Sequence, residues 1–155
     1  MTPSEYEFLI SSIAQEFTNN PLELREWAKA YGMKNRIKGF SKYKHQIDVS
    51  LECKTDIILI ECKHWNTPIN VSDYLVLLGR VEDIAKANPN KRVRGALVTT
   101  NGWRSGVTTL NSAYDNYCSL FKVTKVGEIL ERIHKAFIKG HISVTSRANG
   151  TLRKK

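Results

Sequence analysis

Residues 46–65 (QIDVSLECKTDIILIECKHW) constrain the fold more than any other part of the chain. Two short apolar runs flank residues 54–56, a pattern that predicts two antiparallel strands joined by a hairpin turn. Side chains alternate between the two faces of a strand, so Glu61 and Lys63 should share a face that Cys62 does not. A strand that begins apolar on both faces therefore ends with a carboxylate and an ammonium side by side.

The first run contributes an aspartate to the same hairpin. Its apolar residues are predicted to share one face: Ile47, Val49 and Leu51. Charge at the end of a hydrophobic strand is costly to bury unless a partner neutralises it. Asp48, Glu61 and Lys63 can supply that pairing for one another, and two carboxylates with a lysine also suit a hard metal ion beside a phosphate.

Basic residues outnumber acidic ones in a chain of ordinary domain length. Lysine and arginine total 24 against 15 aspartate and glutamate residues, which gives a formal net charge of +9 over 155 residues. A globular protein this basic usually binds a polyanion, most often nucleic acid and sometimes an anionic membrane surface. A basic protein without such a partner is the alternative. We expect a single domain over residues 1–140 and a basic tail over residues 141–155.

The cysteines and the apolar runs indicate the cellular compartment in which the protein is expected. Three cysteines in core-like stretches do not make a disulfide framework and favour a reducing environment. No apolar run approaches the length of a membrane span, and the N-terminus is acidic rather than signal-like. We therefore expect a cytoplasmic protein that does not enter a membrane.

The rest of the sequence alternates helical and strand-like segments. Helices are predicted over residues 4–17, 22–31, 72–88, 107–117 and 126–138, and further strands over residues 94–100 and 119–124. Residues 33–40 indicate a strand or a loop leading into one, and Ser72 or Asp73 should cap the third helix. The first helix carries an apolar stripe of Phe8, Leu9, Ile13, Ala14 and Phe17. Strands that alternate with helices after the hairpin predict an α/β sandwich around a mixed sheet.

This order of motifs resembles the PD-(D/E)XK nuclease superfamily, and its Mrr-like restriction endonuclease branch in particular. The resemblance lies in IDV, the hairpin, ILIECKHW and the later ALVTTNGW, and it extends over residues 5–117. An E-x-K triplet alone is a weak signal, but here it ends an apolar strand and follows an aspartate on the paired strand. The helix after this strand departs from the branch, because it lacks the glutamines that Mrr-like proteins often carry there.

The resemblance implies a restriction-endonuclease-like α/β/α sandwich with a central mixed sheet. It also implies a metal-dependent endonuclease that hydrolyses DNA, in restriction, defence or repair. An acidic residue on the first helix belongs to the site in this superfamily, and Glu7 best matches that position, with Glu16 a weaker match. A structural role for Glu7 is equally well supported, because Ser4 and Glu7 are spaced as a helix capping box.

The chemistry of phosphodiester hydrolysis suits the hairpin residues. The reaction needs an activated water and cations that neutralise the charge developing on the phosphate. Mg²⁺ prefers hard oxygen ligands and keeps several waters, so one or two carboxylates suffice, and Mn²⁺ should substitute for it. We expect Asp48 and Glu61 to bind the metal, with the backbone carbonyl of Cys62 as a further ligand. Lys63 can then orient the attacking water or help to deprotonate it.

Basic residues around the hairpin are candidate contacts to nucleic acid. They are Arg36, Lys38, Lys42, Lys44 and Arg104. The expected substrate is double-stranded or branched DNA, and a homodimer with twofold symmetry would cut both strands of a duplex. The candidate pairing surfaces are the apolar helix residues 74–78 and the last predicted helix.

Two other classes of function fit the same sequence. A Holliday-junction resolvase, another structure-specific nuclease or an RNA-cutting enzyme would apply the same chemistry to a different substrate. No residue pattern in the chain distinguishes base sequence, junction geometry or a 2′-hydroxyl. A non-catalytic DNA-binding module would keep the fold and lose the chemistry, and the intact set of Asp48, Glu61 and Lys63 argues against it.

Overall fold

The computed structural model describes residues 3–18, 28–31, 35–63, 66–125, 127–133 and 135–136. The helices in this part of the chain are α1 (Pro3–Thr18), α2 (Val71–Ala87), α3 (Ser105–Tyr114) and α4 (Gly127–Ile133). The strands are β1 (Ala28–Tyr31), β2 (Arg36–Lys38), β3 (Lys44–Gln46), β4 (Val49–Glu52), β5 (Asp56–Cys62), β6 (Arg92–Thr99) and β7 (Cys118–Lys122).

A five-stranded mixed sheet forms the centre of the fold, in the order β1-β4-β5-β6-β7. β4 and β5 form the predicted antiparallel hairpin, with Val49 opposite Ile60 and Leu51 opposite Ile58. β6 runs parallel to β5, and β7 runs parallel to β6, because α2 and α3 carry the chain back along the sheet. β2 and β3 form a separate antiparallel ribbon. The mixed sheet predicted from the sequence is confirmed.

Buried clusters on both faces of the sheet make the fold a three-layer sandwich. One cluster joins residues of α1 and Ile133 of α4 to one face, and the other joins residues of α2 and α3 to the opposite face. Cys62 packs on the α1 side, whereas Ile57 and Leu59 pack on the α2 side. The alternation predicted for β5 is therefore correct, and it directs Glu61 toward α2.

The predicted second helix is wrong over its last four residues. Residues 28–31 form β1, which pairs antiparallel with β4 and places Lys29 opposite Leu51. The composition of this segment favours a helix, but helix propensity is a weak preference that tertiary context overrides. Pairing with the open edge of β4 satisfies backbone hydrogen-bonding groups on both strands. Residues 22–27 of the predicted helix lie outside the described residues.

Two residues predicted to share apolar faces lie elsewhere. Phe8 is exposed on α1, and Ile10 is buried in its place. Ile47 packs with α2 rather than on the α1 side of the sheet, because the chain bends at Asp48 before β4 begins. A bend of one residue changes the face to which every preceding side chain points.

Helix boundaries also differ from the prediction. Asn70, rather than Ser72 or Asp73, caps α2: its side chain accepts a hydrogen bond from the N–H of Asp73 at 2.8 Å, and the Asp73 carboxylate accepts one from the N–H of Asn70 at 3.0 Å. α3 spans Ser105–Tyr114, because residues 115–117 form a turn before β7.

The ends of the domain are only partly described. The basic tail and the final part of the last predicted helix lie outside the described residues, so the proposed boundary at residue 140 stays a prediction. In the described part of the chain, no helix is both long enough and apolar enough to cross a membrane.

Candidate active site

Two carboxylates meet where the β4–β5 hairpin opens. Because β4 and β5 are antiparallel, Asp48, which precedes β4, lies beside the C-terminal end of β5, where Glu61 lies. Both residues are almost fully buried: 7% of Asp48 and 5% of Glu61 is exposed. Open α/β sheets bind their ligands at the C-terminal ends of their parallel strands, which is the edge that these carboxylates occupy.

Backbone hydrogen bonds hold both carboxylates in place. The N–H of Asp48 donates to Oε2 of Glu61 at 3.2 Å, and the N–H of Cys62 donates to Oδ2 of Asp48 at 2.9 Å. Each carboxylate thus links β5 to the segment that enters β4. Hydrogen bonds to ionised acceptors are stronger than neutral ones, so these two contacts fix the orientation of both groups.

An arginine on α2 pairs with this carboxylate cluster. Nη1 of Arg80 lies 3.0 Å from Oε1 of Glu61, and 25% of the arginine side chain is exposed. Sequence reasoning missed this residue. Helix periodicity could have found it, since Arg80 follows Leu77 by three residues and precedes Ile84 by four, and both are buried against the sheet.

The pKa of Glu61 reflects the balance of these charges. Burial, and secondly the negative charge of Asp48, raise the pKa of Glu61 to about 7. The positive charges of Arg80 and Lys63 offset part of this rise. Burial therefore favours the protonated form of Glu61, and a divalent cation bound at this site would favour the ionised form.

Lys63 follows β5 directly and is half-buried. Its N–H donates to the carbonyl of Val98 at 3.0 Å, which extends the pairing of β5 with β6 beyond the end of the strand. Its positive charge acts on Glu61, so the ammonium lies near that carboxylate. The structure thus brings Asp48, Glu61 and Lys63 to one edge of the sheet.

A buried asparagine, also missed in the sequence, anchors the segment that enters the site. Nδ2 of Asn35 donates to the carbonyl of Ile47 at 3.0 Å and to Oγ of Ser50 at 3.2 Å. The N–H of Ile47 donates in turn to the carbonyl of Asn35 at 3.0 Å. The contacts are made by Ile47 and Ser50, which lie on either side of Asp48 in the sequence, so they position the backbone of Asp48.

The oxygen donors at this edge suit a hard divalent cation. In a strand, the N–H and C=O of one residue point to the same side, so the carbonyl of Cys62 points toward Asp48 as its N–H does. The Cys62 thiol packs in the core on the opposite face and is no ligand here. Among the described residues, no group of three or more His, Cys, Asp or Glu side chains is placed to hold a metal. Two carboxylates and a carbonyl, completed by water, are a set of ligands that Mg²⁺ accepts.

The third acidic residue implied by the resemblance stays a prediction. Glu7 and Glu16 both lie in α1, but their side chains are outside the described part of the molecule. The capping box predicted for Ser4 and Glu7 is wrong, because α1 begins at Pro3 and Ser4 therefore lies inside the helix rather than at its cap.

The raised pKa of Glu61 predicts how stability depends on pH. Between pH 4.5 and about 7 the folded protein retains a proton that the unfolded chain has released, so the free energy of unfolding falls as pH rises. The loss should approach about 3 kcal/mol for a shift of this size, and it should level off above pH 7. Urea denaturation of the metal-free protein across this range measures it.

The matched control for that titration is Glu61→Gln, which removes the ionisable group and keeps the shape of the side chain. The difference between the two stability profiles isolates Glu61 from every other titrating residue. Parallel profiles for the variant and the parent protein would contradict the prediction.

The predicted nucleic-acid contacts lie in two places. Four belong to the β2–β3 ribbon and its turn, and all are exposed: Arg36, Lys38, Lys42 and Lys44. Arg104 is exposed immediately before α3, beyond the C-terminal end of β6, and so lies at the same edge of the sheet as Glu61. The ribbon leads into Asp48 along the chain.

Comparison with solved structures relates the fold to endonuclease folds. The chain is similar to a repair endonuclease from Pyrococcus abyssi, with 19% identity and a TM-score of 0.50, over 74% of this chain and 46% of that one. It is also similar to AF1548, a protein of unknown function, with 17% identity and a TM-score of 0.50, over 70% of this chain and 56% of that one. EndoMS in its apo form aligns with 19% identity and a TM-score of 0.44, over 74% and 47% of the two chains.

The chain spans about half the length of the structures that it matches. No protein-family model and no curated protein matches the sequence. The fold is therefore a mixed α/β sandwich similar to endonuclease folds, as the sequence predicted.

Proposed function

We propose that the protein is a metal-dependent endonuclease that hydrolyses DNA phosphodiester bonds, of the PD-(D/E)XK type and its Mrr-like branch. The observation that carries this proposal is the buried pair of Asp48 and Glu61, with Lys63 beside it, at the C-terminal end of β5. A carboxyl group whose pKa is displaced to about 7 by burial and a neighbouring charge is typical of functional sites. The similarity to the fold of a repair endonuclease supports a nuclease in the broad sense.

The carboxylates would hold the metal that this chemistry needs. Asp48 and Glu61 offer oxygen ligands to Mg²⁺, or to Mn²⁺ in its place, with the carbonyl of Cys62 as a further ligand. When bound, the cation supplies a water of lowered pKa and polarises the phosphoryl oxygens. The backbone hydrogen bonds to both carboxylates keep them oriented, so little reorganisation is needed during the reaction.

Two cationic side chains complete the proposed site. Lys63 orients the attacking water, assists its deprotonation and stabilises negative charge on the phosphate in the transition state. Arg80 forms an ion pair with Glu61 at 3.0 Å. Because a quarter of its side chain reaches solvent, its guanidinium can contact the phosphate once a cation has neutralised Glu61.

A panel of substrates tests this function. Cleavage is measured with Mg²⁺ or Mn²⁺ on linear duplex, methylated duplex, four-way junction, single-stranded DNA and duplex RNA of matched sequence. We expect cleavage of DNA, whereas cleavage confined to RNA would identify the RNA-cutting alternative. Cleavage confined to the junction would identify a resolvase, and cleavage of methylated duplex alone would favour restriction. DNA binding without cleavage of any substrate would identify a non-catalytic module and contradict the proposal.

Binding to DNA should be strongly salt-dependent, because each neutralised phosphate releases counterions. Four phosphate contacts by the ribbon predict that affinity for duplex falls about a hundredfold between 50 and 200 mM salt. Fluorescence anisotropy in EDTA measures it without cleavage. Lys38→Ala should lower the salt slope by about one contact, whereas Lys86→Ala, exposed near the far end of α2, should not change it. A flat salt response would contradict the phosphate contacts.

We also propose a homodimer, which pairs through the exposed residues of α2 rather than through the whole surface predicted from the sequence. Four residues of the two predicted surfaces belong to the core: Tyr74, Leu77, Leu78 and Ile133. The exposed apolar residues of α2 are Val71, Leu75 and Val76. They are the better candidates for a pairing surface because they are exposed. The dimer itself is proposed because cutting both strands together needs two sites, and twofold pairing supplies them. Ile129 and Leu130 of the last helix have side chains outside the described set.

Sedimentation at micromolar concentration tests the dimer. Leu75→Glu should convert it to a monomer, since a charge would be buried without a partner at the pairing surface. The matched control is Phe8→Glu, which places the same charge on an exposed apolar site of α1. A parent protein that sediments as a monomer, both free and bound to DNA, would contradict the proposal and leave nicking as the expected activity.

A further inference from the structure

The β2–β3 ribbon has one face that is entirely polar or basic. Its register places Arg36 opposite Gln46 and Lys38 opposite Lys44, and all four side chains point to the same face. Like charges directly opposite each other destabilise a pair of strands. A polyanion that lies on this face would relieve that repulsion.

The other face of the ribbon is docked on α2 through one carboxylate. Asp83 accepts hydrogen bonds from the N–H of Ser41 at 2.9 Å, from its hydroxyl at 2.6 Å, and pairs with Nε2 of His45 at 2.8 Å. The bonds from Ser41 and His45 lower the pKa of Asp83 to about 2, so it stays ionised at neutral pH. Gly39 allows the approach, because a Cβ there would lie 2.0 Å from Oδ2 of Asp83. The ribbon is therefore held against the helix rather than free to move.

The docked turn exposes two aromatic side chains. Phe40 is 64% exposed and Tyr43 is 66% exposed. Single exposed apolar residues are ordinary on protein surfaces, but two on one anchored turn, beside basic residues, are not scattered. Tyr43 contacts His45 edge-on at 5.0 Å between ring centroids, which limits its motion.

The turn between these aromatics is held at a conformational cost. Lys42 has φ of 78°, in the left-handed region that glycine or asparagine adopts more easily. The tight turn of the ribbon imposes this conformation, since the N–H of Lys42 donates to the carbonyl of Gly39 and the N–H of Gly39 donates to the carbonyl of Tyr43, both at 3.0 Å. The turn thus presents a cation between two exposed rings.

We propose that Phe40 and Tyr43 stack on unpaired bases while the basic face of the ribbon binds the adjoining backbone. DNA that contains a single-stranded segment beside a duplex is then the preferred substrate. Paired bases hide their faces in the stack, whereas unpaired bases offer them to aromatic side chains, and a positively charged track beside such rings is the arrangement that binds single strands. This inference rests on the proposed nuclease function and names its substrate class.

The length of the ribbon sets where cleavage occurs. Tyr43 precedes Asp48 by five residues, which span at most about 18 Å. At about 3.4 Å per nucleotide along one strand, the scissile phosphate lies within about five nucleotides of a base stacked on Tyr43. Cleavage should therefore fall close to the boundary between duplex and single strand.

Binding measured in EDTA tests the stacking without any need for cleavage. The parent protein should bind a duplex with a five-nucleotide gap more tightly than the uninterrupted duplex. Phe40→Leu and Tyr43→Leu should each weaken binding to the gapped DNA by about 5- to 150-fold, with an unchanged salt slope and unchanged affinity for the duplex. Lys38→Ala is the matched contrast, because it should weaken binding to both DNAs and lower the salt slope.

Two outcomes would overturn the inference: equal affinity of the parent protein for gapped and uninterrupted DNA, or leucine variants that bind gapped DNA as the parent does. The proposed function is judged separately. Stacking without cleavage of any DNA in Mg²⁺ would contradict the nuclease and leave the stacking in place. Cleavage with no preference for gapped DNA would contradict the stacking and leave the nuclease function in place.

Discussion

Replacing Glu61 by glutamine should abolish DNA cleavage, by at least about a thousandfold, while the protein remains folded. The variant keeps the size of the side chain and an oxygen that can accept the hydrogen bond from the N–H of Asp48. It removes one of the two negative charges that would hold the metal, and metal assistance supplies several kcal/mol to reactions of this kind. Single-turnover cleavage of labelled DNA in Mg²⁺ measures the effect.

Stability separates this loss from misfolding. Since burial disfavours the ionised form of Glu61, Glu61→Gln should unfold at pH 8 at a urea concentration no lower than that of the parent protein. The matched control is Glu52→Gln, which lies at the opposite end of the β4–β5 hairpin and pairs with Lys91 at the surface. It should cleave DNA as the parent does. Cleavage by Glu61→Gln at the parent rate would remove Glu61 from the site.

Replacing Lys63 by methionine should lower cleavage by about a hundredfold to ten-thousandfold, the usual range for losing a positioned acid–base group. Methionine retains most of the apolar stem of lysine, so the packing beside β5 should be preserved. Binding of Mn²⁺ should be retained, because the carboxylates of Asp48 and Glu61 remain. Calorimetry of Mn²⁺ binding, beside the cleavage rate, separates chemistry from assembly of the site.

The matched control is Lys54→Met, in the exposed turn at the other end of the same hairpin. It should change neither cleavage nor metal binding. A Lys63→Met variant that no longer binds Mn²⁺ would make Lys63 a structural support for the carboxylates. One that cleaves at the parent rate would exclude it from the reaction.

Strand alternation made the carboxylate edge predictable from the sequence. The period of two fixes which side chains of β5 share a face, and the hairpin turn brings Asp48 alongside Glu61. These relations need only local sequence, so the hairpin, its charged end and the alternating helices that follow were found without a structure. The face predicted for Ile47 was wrong, because a single bend at Asp48 interrupts the alternation of side chains.

Contacts between distant segments could not be read in the same way. Arg80 reaches Glu61 only because α2 crosses the sheet at that point, and Asn35 is a polar residue in a stretch with no distinguishing pattern. His45 and Asp83 are 38 residues apart, so the docking of the ribbon on α2 depends on the assembled fold. β1 likewise forms only because the edge of β4 is available to it.

Nicking of supercoiled plasmid DNA by the purified parent protein, with Mg²⁺ and with EDTA, tests the central claim most directly. We predict conversion to open-circular and linear DNA in Mg²⁺ or Mn²⁺, none in EDTA, and none with Glu61→Gln purified in the same way. Equal cleavage in EDTA, or plasmid, junction and gapped DNA that all stay intact under every metal condition, would contradict a metal-dependent nuclease site at Asp48 and Glu61.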